Sequence, residues 1–264
     1  MRIVQSAGRA WLRQLHNCSR LSHRLRTGAW PPQIVFLHVP KTGGSSVQME
    51  FVKHIGSNRS GRSALFDALY VDPDEAQIAK AGSARYVGGH IDWATFERFR
   101  QPGAYVFTVL RDPFDRLLSS YLYLTNFPSH SRWFAQIAHL QGMDIKDFLT
   151  SEDPIARVWS DNVIARQFGG SFRAATLDES VVDRSLAHLC SLSHVGFQHR
   201  LDADLRAIAT GGGIPAPARA GRENVTGPDG RKPEVIARLK GELAPLVAEK
   251  LAFDMKIYKA MLTS

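Results

Sequence analysis

Cysteine is nearly missing from this chain: Cys18 and Cys190 are the two in 264 residues. A disulfide scaffold is excluded on that count. Long apolar runs are missing as well. The longest, Ile34–Val39 and Tyr105–Leu110, are strand-sized, well short of the roughly 18–20 residues a membrane-crossing helix needs. Acidic residues are absent from the start of the chain, where the first is Glu50. There is no GxxxxGK[ST] phosphate loop, no second-motif acid to accompany one, and no paired acids for a metal.

What is present describes a folded protein. The hydrophobic fraction is 44%, the charged fraction 22%, and there are 14 Phe, which excludes a disordered or fibrous class. A chain of this length is expected to bury roughly 70–75% of its unfolded surface, enough for a core without covalent staples. The net charge of +8 is uneven. Arg2, Arg9, Arg13, Arg20, Arg24 and Arg26 form a basic arm over residues 1–32 that ends at Trp30-Pro31-Pro32. It reads as a solvated arm, as a surface for anionic ligands or lipid headgroups, or as a mitochondrial-type leader. It is not a secretory signal, because no apolar segment follows the charges. Nucleic acid is not an expected partner: only Trp11 and Trp30 interleave with the arginines, too few for a base-stacking surface.

From residue 33 the pattern alternates. Ile34–Val39 is β-rich and almost wholly apolar, the mark of a strand covered on both faces. Pro40-Lys41-Thr42-Gly43-Gly44 breaks it, and a helical pattern follows to Ile55. A second strand over 84–87 ends at Gly88-Gly89-His90 before a helical stretch. A third, 104–110, ends at Arg111-Asp112-Pro113, with Pro placed to start a helix. Residues 132–192 read as mostly helical, 194–197 as a fourth strand, and 202–209 as a helix. Residues 210–233 hold six Gly and four Pro and predict a long mobile loop. A helix closes the chain. Strands alternating with helices predict an α/β domain with a parallel sheet over 33–264.

Ligands of such folds bind beyond the carboxyl ends of the strands, where three polar clusters are expected to converge. In the first, Gly43 and Gly44 let backbone approach an anion and begin a helix whose amides and dipole face it. Lys41 adds a charge, and Thr42, Ser45 and Ser46 add hydroxyls. In the second, Arg111 can fork onto a phosphate, and Ser119 follows two helical turns later. Asp112 and Arg116 are four apart and suit an ion pair with each other. In the third, His90 follows two glycines at a strand end and suits a general base. His38, His130 and His139 are the other histidines considered, with His38 read as packed.

Phe36-Leu37-His38-Val39-Pro40-Lys41-Thr42-Gly43-Gly44-Ser45-Ser46 resembles the 5′-phosphosulfate loop of the Golgi-type carbohydrate sulfotransferases and their bacterial relatives. The stretch from Val109 through Arg111, Arg116 and Ser119 to Tyr121 is similar to their 3′-phosphate motif. Gly88-Gly89-His90-Ile91-Asp92-Trp93 resembles the catalytic-His segment of the uronyl and heparan 2-O-sulfotransferase branch, with Gly88 where that branch has a first His. Fainter similarities lie at Asp161-Asn162, Arg166-Gln167, Val195-Gly196-Phe197, Arg200, Asn224-Val225-Thr226, Asp254 and Tyr258. The resemblance implies a P-loop-like fold and 3′-phosphoadenosine 5′-phosphosulfate as donor, with no metal. It implies that Lys41, Thr42, Gly43, Gly44, Ser45 and Ser46 hold the 5′ side, Arg111 and Ser119 the 3′-phosphate. It assigns His90 as base and Lys41 as the group that offsets leaving-group charge, and it makes a glycan the expected acceptor class.

Two other classes compete: a P-loop-type kinase using ATP with magnesium, and a non-catalytic basic protein binding nucleic acid or membrane through the arm. The expected location is the bacterial cytoplasm, with peripheral membrane contact through the arm; oligomeric state has no signal in the sequence.

Overall fold

The computed structural model describes residues 33–56, 62–67, 72–126, 134–215 and 233–263. The basic arm over 1–32, His130, and residues 216–232 of the expected loop lie outside the described residues, as does Asn224-Val225-Thr226. The described chain divides into two compact units. One runs through residues 33–38, Gly43–Val109 and 192–215; the other through Val39–Thr42, Leu110–Ser191 and 233–263.

The first unit is a five-stranded sheet with helices. Its elements are β1 (Ile34–Leu37), α1 (Gly44–Ile55), β2 (Ser63–Asp67), α2 (Glu75–Ser83), β3 (Tyr86–His90), α3 (Trp93–Glu97) and β4 (Tyr105–Leu110), then β5 (His194–Phe197) and α10 (Leu201–Gly211). The strand order is β2-β3-β1-β4-β5. β1 pairs in parallel with β3 and β4, and β3 with β2. The apolar runs explain this arrangement. Ile34, Val35, Phe36 and Leu37 are all fully buried, so both faces of β1 are covered. One face carries Ile34, Phe36, Tyr86, Phe107 and Val109 against Val47, Phe51 and Ile55 of α1 and Leu205 and Ile208 of α10. Its rings stack in register: Phe36 on Phe107 at 4.8 Å, and Phe51 on Tyr86 at 5.2 Å. The central position of β1, with α1 leaving its carboxyl end, is where an open α/β sheet places its ligands.

β2 carries no apolar run and was not expected. It is an edge strand, and its central Leu65 is exposed. β3 extends through the two glycines rather than stopping before them.

The second unit is helical: α4 (Pro113–Thr125), α5 (Phe134–Ile137), α6 (Ile145–Thr150), α7 (Pro154–Ser160), α8 (Val163–Gly169) and α9 (Ser180–Cys190), then α11 (Pro233–Lys240), α12 (Ala244–Lys250) and α13 (Ala252–Thr263). Pro113 and Pro154 sit in first turns, and Asp112 and Asp153 cap those helices by accepting from backbone amides. Asn162 precedes α8 with φ 47° and threads the unit together. Its Oδ1 accepts from Phe253 N and Asp254 N, while the buried Asp254 carboxylate accepts from Ile164 N and Ala165 N. Asp161 pairs with the buried Arg166. No described helix is long and apolar enough to cross a membrane.

Candidate functional site

β1 delivers the chain into a tight loop. The backbone of Lys41 has φ 65° and that of Gly43 φ 87°, so two left-handed residues reverse the chain within three positions. Glycine takes that conformation at no cost; lysine does not. Thr42 is buried and its hydroxyl donates to Val39 O at 2.8 Å, which holds the turn from inside. α1 then begins at Gly44 with no side-chain cap, Ser45 exposed and Ser46 buried. An uncapped helix start leaves amides directed outward with the dipole behind them.

In the helical unit, Lys41 and Arg111 come together. Arg111 Nη1 donates to Lys41 O at 3.1 Å. The Lys41 ammonium is half-buried and makes no ion pair among the described residues; it lies 3.8 Å from the centroid of the Tyr123 ring. Burial, and then the neighbouring Arg111 charge, lower its pKa to about 8. Both causes disfavour the ammonium, and an anion beside it reverses both. Ser119 is half-buried on α4, eight positions after Arg111.

Arg116 does not pair with Asp112. Asp112 Oδ1 is taken by Phe114 N and Asp115 N, while Arg116 is fully buried and donates to Trp159 O at 3.1 Å and to Ser120 Oγ at 3.3 Å. Helix capping outcompetes the i,i+4 pair because the cap is local and rigid.

In the sheet unit, His90 ends β3. Its Nδ1 lies 3.0 Å from His38 O. A carbonyl only accepts, so Nδ1 is the donor in this contact, and a neutral ring with its proton there is the tautomer a base needs. The rings of His38 and His90 stack at 4.5 Å, and His38 stacks on Phe36 at 5.0 Å. His38 is thus packed, as expected, and it also carries His90. The glycines make room for this. A Cβ at Gly44 would lie 2.1 Å from the His38 ring, so Gly44 serves the imidazole as well as the loop. At Gly89, φ 136° and a Cβ position 2.1 Å from Phe66 O exclude any side chain. At Gly88 a Cβ would meet the hydroxyl of the buried Tyr86 at 2.5 Å, so the tyrosine occupies the space a side chain there would need.

Sequence reasoning missed Tyr123 and Trp159, whose rings stack at 5.8 Å beside Lys41. It placed Asp161, Asn162, Arg166 and Asp254 among faint motif similarities, and they form the buried network of the helical unit. His139 pairs with Asp153 at the surface.

Among the described residues Lys41 makes no ion pair, α1 starts without a side-chain cap after the central strand, and His90 is oriented by a backbone carbonyl. The model of the Sulfotransferase family matches residues 31–154, a little under half of the chain, and supports a sulfotransferase family. A search of curated proteins finds no match to the chain.

Proposed function

We propose that the protein transfers a sulfuryl group from 3′-phosphoadenosine 5′-phosphosulfate to a hydroxyl of a carbohydrate acceptor. The observation that carries this is the Lys41 ammonium, half-buried, beside Arg111 and without a carboxylate partner among the described residues. A cation held this way favours an anionic ligand, and three residues later the uncapped start of α1 offers amides of the same preference. The family match supports sulfuryl transfer in general.

In this reading Lys41, with the loop Thr42-Gly43-Gly44-Ser45-Ser46, holds the 5′-phosphosulfate, and Arg111 and Ser119 hold the 3′-phosphate. His90 Nε2 takes the acceptor's hydroxyl proton as the acceptor oxygen bonds to sulfur. Lys41 offsets the charge that gathers on the phosphate oxygen as its bond to sulfur breaks. Positioning supplies much of the remaining rate.

The test is calorimetric titration with adenosine 3′,5′-bisphosphate without metal, against ATP with magnesium, followed by transfer of radiolabelled sulfate to a panel of polysaccharides. Preferred binding of the bisphosphate and labelled polysaccharide are expected. Preference for ATP with magnesium overturns the donor assignment in favour of a kinase.

A further inference from the structure

We infer that Tyr123 is a positioning residue for Lys41, with Trp159 holding Tyr123 in place. The inference rests on the proposed role of Lys41 and adds the residues that keep it there. The Lys41 ammonium sits 3.8 Å from the centre of the Tyr123 ring. The Trp159 ring stacks on the same tyrosine at 5.8 Å and 22° between planes. The carbonyl of Trp159 accepts from Arg116, fully buried on the helix that carries Tyr123. Arg111, two residues before that helix, donates to the carbonyl of Lys41. The lysine is therefore held at both ends, its backbone by Arg111 and its ammonium by Tyr123 of α4. These two ties account for a lysine held at φ 65°, a conformation that needs support from its surroundings.

An aromatic face suits the task better than a carboxylate. It attracts a cation without neutralising it, so the full charge stays available to an incoming anion. A carboxylate at the same place would compete with the phosphate. The ring also opposes the burial and the Arg111 charge that both favour loss of the lysine's proton.

The test uses the whole chain with lysine labelled at Cε. A methylene above an aromatic ring resonates upfield of solvent-exposed lysines. Lys240 and Lys256 also lie over rings, at 5.4 and 5.6 Å, so the Lys41 signal is identified as the upfield one lost in Lys41→Met; it is expected to be kept in Tyr123→Phe and returned to the bulk position in Tyr123→Leu. In the same variants the kcat for sulfuryl transfer should fall about 3- to 30-fold in Tyr123→Leu, with the donor KM moving less, and Tyr123→Phe should restore most of it. Thermal melting of both variants guards against a folding defect, with Tyr123→Met as the substitute if the leucine variant does not fold. An upfield signal indifferent to Tyr123→Leu, or a signal that moves while kcat holds, overturns the inference. A wild-type chain that transfers no sulfuryl group but shows the expected signal pattern supports the Tyr123 contact and counts against the proposed function instead.

Discussion

The sheet unit and the helical unit are stabilised by different kinds of interior. The largest side chains buried in the sheet unit include Phe36, Phe51, Tyr86 and Phe107, which stack on one another. Its buried polar groups serve the strands: Gln33 donates to Ala81 O and Thr108 to Leu37 O. The helical unit instead buries Arg116, Arg166 and Asp254 almost completely. Their partners are chiefly backbone groups at helix ends: Trp159 O, Asp161 O, Ile164 N and Ala165 N. Apolar burial is non-directional and tolerates exchange among similar shapes. A buried hydrogen bond is directional, so these contacts fix the helix ends in one arrangement. The unit holding the proposed base is thus built on shape, and the unit holding Lys41 and Arg111 on hydrogen-bond geometry.

That contrast is sharpest where chemistry and stability come apart. The largest expected effect is His90→Ala, which should lose about 10²–10⁴ in turnover while melting temperature and bisphosphate affinity hold. A parallel loss of bisphosphate affinity would move His90 from chemistry to binding. Asp254→Ala should act the other way. Removing the carboxylate leaves two amides of α8 without their acceptor and takes away the negative charge that favours the buried Arg116 cation, a loss of roughly 3–5 kcal/mol read from urea denaturation. The double variant Arg116→Met, Asp254→Leu should recover a large part of it. A single-variant loss below about 1 kcal/mol would mean the helical interior is as forgiving as the sheet's.

Arg111→Ala comes next in size. It should weaken binding of the 3′,5′-bisphosphate by about 1.5–3 kcal/mol and that of the 5′-monophosphate by less, through the lost tie to the Lys41 carbonyl; equal weakening of both would remove Arg111 from the 3′-phosphate. The smallest effect is in pH dependence. Burial and Arg111 bring the Lys41 pKa down to about 8, and the cation is the useful form. With a lowered lysine, charge is lost as pH rises, so kcat/KM for the donor should fall through about pH 8. Bound donor is anionic and raises that pKa, so the corresponding limb of kcat should lie at higher pH. A kcat/KM that stays level from about pH 7 to 9 would remove Lys41 from the rate-determining charge.

The strands were legible where an apolar run is continuous or nearly so, as in β1 and β4, and β5 was legible from the short His194-Val195-Gly196-Phe197 segment. β2 was not, because an edge strand needs only one good neighbour, and Ser63 and Asp67 bound a segment with exposed Leu65. Gly88 and Gly89 read as a strand end, yet Gly89 lies inside the ladder because β2 passes too close for a side chain. In the candidate site, Lys41, Arg111 and His90 were legible from their places after strands. The contact between Lys41 and Arg111 is seen within the helical unit, and that between His90 and His38 within the sheet unit. Tyr123 and Trp159 were not legible: an aromatic residue on a helix looks like core until the cation above it is seen. Arg116 was read as structural, but its partner was misjudged because the competing cap at Asp112 is a matter of backbone geometry.

The close approach of Gly44 to His38 makes one genetic unit out of positions that look separate. A methyl group at 44 displaces the His38 ring, and the ring that stacks on it is His90. Gly44→Ala should therefore phenocopy a defect in proton transfer rather than one in nucleotide affinity. In a His38→Ala background the same change meets no ring and should add little. The epistasis would show that the glycine of the loop has been retained for the histidine's sake, and that the loop and the base cannot drift independently.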